Sequence, residues 1–191
     1  MGNLRAWLFR GLTLIAAALM AVSFVLPWWS SFIDEIQVTV AKIFPYGLWL
    51  DIDEIGGYTY YIPGYELPVW FTPVMWTYLG LCIVALIFSL FAKEKTIKLG
   101  KLNMTLPQFL VGFVGLSYLV VDIVFVIVAT VRVGSYFDGM PLLGEHYIVL
   151  DYPVAGYAYS QFEIGFYLSI GVGLLLIILS LLRNRIIGKQ N

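Results

Sequence analysis

The 191-residue sequence predicts an all-α membrane protein, a four-helix bundle with a small extracellular antiparallel β-sheet. Three observations predict it. Hydrophobic residues make up 61% of the chain and charged residues only 12%, whereas a soluble domain carries about a quarter charged. Four apolar runs, roughly Trp7–Leu26, Trp70–Ala92, Leu106–Val131 and Phe162–Leu182, are long enough to cross the hydrocarbon as helices. They lack the inward polar alternation of a membrane barrel. Between the runs, shorter stretches alternate in the manner of half-buried strands.

Each element has its own reason. Arg5 and Arg10 before the first run invite comparison with a secretory leader. The small-x-small cleavage pattern is missing, however, and Pro27-Trp28-Trp29 stands in its place, so the run reads as a retained span. In segment 27–69, Ile36–Ile43 alternates, Pro45-Tyr46-Gly47 reads as a turn, and Leu48–Asp53 alternates again. Gly56-Gly57 turns once more, and Tyr58–Ile62 completes a three-stranded meander before Pro63-Gly64. Trp28, Trp29 and Trp70 flank the runs where indole rings favour the membrane interface. Trp49 lies deeper in the meander and reads as a packing residue of the sheet. Segment 93–105 is a short basic loop, and segment 132–161 adds a strand at Tyr147–Asp151. The whole reads as a single membrane domain over residues 1–191.

Charge supplies the orientation. Nine of the eleven Lys and Arg residues lie before or at the start of the first run, in segment 93–105 or after the fourth; only Lys42 and Arg132 fall elsewhere. By the positive-inside rule both termini are cytoplasmic, and segments 27–69 and 132–161 face outward from the cell membrane. Those segments hold nine acids, and Glu163 follows directly, so the pI near 5.7 averages two oppositely charged faces and implies no nucleic-acid partner.

Trp28 and Gly47-Leu48-Trp49, placed after the first run at this separation, carry a resemblance. The pattern resembles the W…GLW motif of the claudin, peripheral myelin protein and epithelial membrane protein group. That resemblance implies four spans, termini inside, a longer first outer segment and a sheet formed outside. The chain departs from the group at its disulfide-forming cysteine pair: Leu50, Asp51 and Ile52 follow the tripeptide, and Tyr61-Ile62 stands near the second position. It also lacks the basic residue near the second span, and its ending, IIGKQN, lacks the aromatic-valine terminus. The resemblance implies the architecture; paracellular sealing is not carried over.

Inside the runs, Asp122 is the one acid near mid-span. A carboxyl there costs a few kcal/mol, so it faces protein rather than lipid. Gln108, Gly112, Gly115, Leu119, Asp122, Val126 and Ala129 step by threes and fours onto one helix face. Asp122 then either hydrogen-bonds a neighbouring helix, through Thr13, Ser23, Tyr78 or Ser169, or handles a proton or cation. Gly165, Ser169 and Gly173 form a small-residue stripe for close helix approach.

The single His146 excludes haem held by His pairs, and the single Cys82 excludes a dithiol redox pair. No cofactor, no metal site and no catalytic constellation is expected. The outward tyrosines Tyr58, Tyr60, Tyr61, Tyr65 and Tyr147 read as a contact surface. The functional expectation is a non-enzymatic protein of self-assembly or adhesion, whose partners are membrane lipids and copies of itself. The alternatives are an accessory subunit among other membrane subunits, or a small channel, transporter or lipid-handling protein using Asp122.

Overall fold

The computed structural model describes residues 2–33, 38–50, 67–93, 95–99, 102–136, 141–151 and 154–187. Four helices, α1 (Gly2–Val25), α2 (Phe71–Phe91), α3 (Leu106–Tyr136) and α4 (Ile164–Ile187), are long and apolar enough to cross a membrane. This is the mark of a multi-pass membrane protein. Helix α3 runs five residues past the expected Val131, because Val133, beyond Arg132, still has a core to enter.

Among the described residues seven strands accompany the helices: β1 (Trp29–Ile33), β2 (Val38–Phe44), β3 (Gly47–Leu50), β4 (Thr96–Leu99), β5 (Leu102–Thr105), β6 (Gly144–Asp151) and β7 (Val154–Phe162). Five of them form one antiparallel sheet in the order β3-β2-β1-β7-β6. Both segments expected to carry strands therefore enter the same sheet. The expected third meander strand, Tyr58–Ile62, lies outside the described residues. Segment 93–105, expected as a plain loop, contains the hairpin β4–β5, with Leu99 paired to Leu102. Gly100-Lys101 between two alternating tetrapeptides is the sequence signal for it.

By internal packing the chain divides into two compact units, and all four helices have residues in each. Residues 1–22, 76–122 and 168–191 make the first unit. Its helices interlock by polar groups: Tyr118 donates to the Met20 carbonyl (3.3 Å), and Tyr78 and Ser117 bond at 3.0 Å. Arg183 is buried there, donating to Thr105 Oγ1 (2.9 Å) with its guanidinium over the Phe9 ring.

Residues 23–75 and 123–167 make the second unit, which contains the sheet. Trp29, Ile33, Ala41 and Ala158 of the sheet bury themselves against Ala129 and Val133 of α3 and against Leu142. Strand β1 lies at the centre, bonded to β2 on one side and β7 on the other. Trp28 extends both ladders: its N–H donates to Ile43 O (2.8 Å) and its carbonyl accepts from the Glu163 N–H (3.0 Å). Gly144 opens β6 at φ 104°, a conformation that side chains resist.

The tryptophans correct the sequence expectation. Trp28 and Trp29 are both 0% exposed, whereas an interfacial belt would leave them at the surface. Trp28 Nε1 donates to the Ser23 carbonyl (2.9 Å), and its ring meets Phe125 and Phe166 edge-on. Trp29 Nε1 donates to the Leu142 carbonyl (2.6 Å). A strand forming this close to the span end draws both rings inward. Trp70, 63% exposed, keeps a position suited to the interface.

Trp29→Ala is expected to cost about 3–5 kcal/mol, the usual effect of emptying a large core site. Trp70→Ala should fall within about 0.5 kcal/mol of the parent. Thermal unfolding in detergent, followed by circular dichroism, checks the pair.

Candidate functional site

The register sorts the sheet into two unlike faces. Trp29, Ser31, Ile33, Ala41, Ala158 and Ser160 share the buried face. The other face carries Ser30, Phe32, Lys42, Trp49, Glu145, Tyr147, Tyr157, Tyr159 and Gln161. In β7 the alternation runs by size: Ala158 (0% exposed) and Ser160 (5%) point inward, while Tyr157 (48%) and Tyr159 (36%) point outward. Large rings on the outside of a sheet leave apolar surface uncovered.

Cross-strand rows organise this face. Phe32 stacks on Tyr159 with centroids 5.7 Å apart, and the Tyr159 hydroxyl donates to Glu145 Oε1 (3.1 Å). Tyr147 and Tyr157 meet edge-on at 5.3 Å. Aromatic pairs of this kind contribute about 0.5–1.5 kcal/mol beyond their burial, so the rings are held in place. A second row sets Trp49, Lys42, Ser30 and Gln161 side by side. Lys42 Nζ lies 5.0 Å from the Trp49 ring centroid. Ser30 Oγ donates to Glu163 Oε1 at 2.5 Å, and Gln161 Nε2 donates to the same oxygen at 3.4 Å.

Of the tyrosines expected at a contact surface, Tyr147 stands on this face at 54% exposure. Tyr58, Tyr60, Tyr61 and Tyr65 lie outside the described residues. Gly47 opens β3, and an added Cβ there meets nothing within 4 Å. Leu48 packs on the sheet core, whereas Trp49 is 43% exposed, a correction to its expected packing role. Pairing opposite Lys42 places it on the outward face. His146 belongs to β6 opposite Ala158. Phe32 and Lys42 escape sequence reasoning, because their neighbours are set by the pairing of β1 with β7 and of β2 with β3.

The membrane helices hold the other candidate. Asp122 is 3% exposed, and Ser169 Oγ donates to its Oδ1 at 2.6 Å. Oδ2 has no partner among the described residues. Along the same face of α3, Gln108 Nε2 donates to the Ser180 carbonyl (2.9 Å) while Ser180 Oγ donates to the Gln108 carbonyl (2.8 Å). The glycines permit this approach. A Cβ at Gly112 would come 2.6 Å from Ser180 Oγ, and one at Gly115 2.8 Å from the Gly173 carbonyl oxygen. At Gly173 it would meet Leu119 Cδ2 at 2.6 Å, and at Gly165 the Pro27 carbonyl oxygen at 2.5 Å. Gly165, Ser169 and Gly173 thus all serve contacts within this chain. Among the described residues, no group of three or more His, Cys, Asp or Glu could hold a metal.

Asp122→Asn keeps an acceptor for Ser169 and should change stability by less than about 1 kcal/mol. Gly115→Val drives a side chain into backbone and should cost about 1–3 kcal/mol. Melting temperatures and monodispersity in one detergent measure both.

Compared with known proteins, the chain matches no family model, no curated protein and no solved structure.

Proposed function

We propose that this chain acts by contact, assembling with copies of itself or adhering through the exposed face of its five-stranded sheet. The observation that carries the reading is the row of ordered rings, Phe32, Tyr147, Tyr157 and Tyr159, on the side of the sheet turned away from its core. Rings already fixed by their neighbours lose little freedom on binding, and Tyr is enriched where protein surfaces meet. The sheet faces outward from the plasma membrane and both termini lie in the cytoplasm, in keeping with the distribution of Lys and Arg. The layout resembles that of the claudin group, with apolar burial of Trp28 and Trp29 in the place of a disulfide. The activity is non-enzymatic.

A second reading, a small channel or transporter, draws on Asp122 Oδ2, which has no partner among the described residues. A buried intramembrane acid is a natural stopping point for a proton. Under that reading liposomes show a proton flux that Asp122→Asn abolishes.

Purification in mild detergent followed by mass measurement tests the contact reading. Homogeneous multimers are expected. Replacing Tyr147, Tyr157 and Tyr159 together by Ser should weaken association roughly tenfold or more while leaving the fold intact. A wild-type monomer overturns self-assembly, and stoichiometric foreign subunits identify an accessory chain instead. Cysteines added within 93–105 should stay shielded from impermeant reagent in intact cells.

A further inference from the structure

The hairpin β2–β3 contains an open cleft of about 420 Å³, lined by Lys42, Phe44, Tyr46, Gly47, Leu48 and Trp49. Its size lies within the range of small-molecule sites. The cleft is held at the ends of two spans. The Tyr46 ring packs on Phe24, near the last turn of α1, at 5.5 Å. Thr72 Oγ1, in the first turn of α2, donates to the Tyr46 carbonyl at 2.8 Å. Since α1 leaves its apolar run at Val25 and α2 begins at Phe71, the hairpin sits where hydrocarbon gives way to headgroups.

The lining is unusual for that position. Lys42 is the only Lys or Arg in the five strands of the sheet, and it has no carboxylate partner among the described residues. Its ammonium rests over Trp49 instead, 5.0 Å from the ring centroid. Phe44 and Tyr46 stack beside it at 5.4 Å. A cation with aromatic walls, opening at headgroup depth, matches a molecule with an anionic head and an apolar body. A lysine stem lies along apolar surface while its charge seeks an anion, and aromatic rings settle at the glycerol level of a bilayer.

The geometry points to this cleft as a binding site for one anionic membrane lipid. The headgroup phosphate pairs with Lys42 Nζ, and the glycerol and upper acyl carbons lie against Phe44 and Trp49. The site is independent of the tyrosine face, which belongs to β6 and β7 at the other end of the strand order.

The full chain in phosphatidylcholine nanodiscs, doped with dibrominated phosphatidylglycerol or dibrominated phosphatidylcholine, tests it through bromine quenching of tryptophan. Trp7, Trp70 and Trp76 are exposed and report both lipids alike, so the informative signal is the excess quenching by the anionic lipid. That excess is expected in the parent and in Lys42→Arg, and should vanish in Trp49→Phe. In Lys42→Gln the preference for the anionic lipid should fall about fivefold, the worth of one basic residue near an anionic surface. Equal quenching by the two lipids in the parent overturns the proposal. So does an excess undiminished by Lys42→Gln, or a Trp49 shielded from both lipids while a cysteine placed at position 49 crosslinks two chains.

Discussion

The structure depends on two adjacent indoles that bury themselves where a membrane helix ends. The last carbonyls of any helix lack intrahelical partners. In α1 the Ser23 carbonyl finds the Trp28 indole N–H, so the chain is turned by the side chain that follows it. The Trp28 backbone then joins the ladders on both sides, and Trp29 begins the central strand. With its N–H on the Leu142 carbonyl, Trp29 also ties the start of β6 to the core. Both polar tips are satisfied, which lets two large rings be fully buried at no cost in lost hydrogen bonds. A disulfide would link two strands of one segment; these indoles link both segments and a helix end.

That arrangement explains the inverted alternation of β7. Trp29 and the side chains of α3 fill the space beneath the sheet, leaving room for Gly156, Ala158 and Ser160 from the neighbouring strand until Phe162, beside Trp29, joins the core at its end. The volume that cannot go inward goes outward as tyrosine. The exposed aromatic face is thus a consequence of how the core is packed, and the same rings are available for contact because they are excluded from that core.

Much of this was legible in the residues. The four helices announce themselves by length and hydropathy, since lipid demands an unbroken run of apolar side chains and complete internal hydrogen bonding. The inward face of α3 follows from Gln108, Gly115 and Asp122 at helical spacing, and Ser169 was among the partners open to Asp122. Strands β2 and β3 follow from their alternation. Strand β1 was hidden, because Trp28 and Trp29 beside a span carry the same composition as an interfacial belt. Strand β7 was hidden too, since hydropathy patterns look for large apolar residues inside and find Ala, Gly and Ser. Which strands pair is a long-range fact, and residues as far apart as Phe32 and Tyr159 share no local signal.

Inside the membrane the chain leaves few polar groups idle, and this sharpens the position of Asp122. Thr13 returns its hydroxyl to the Phe9 carbonyl, Ser89 to Leu86 and Ser117 to Val114, each within its own helix. Gln108 and Ser180 satisfy one another across helices. Against that background a carboxyl with one oxygen bonded and the other without a described partner stands out. An Asn would serve Ser169 equally well at lower insertion cost, so hydrogen bonding to Ser169 alone does not account for an acid there.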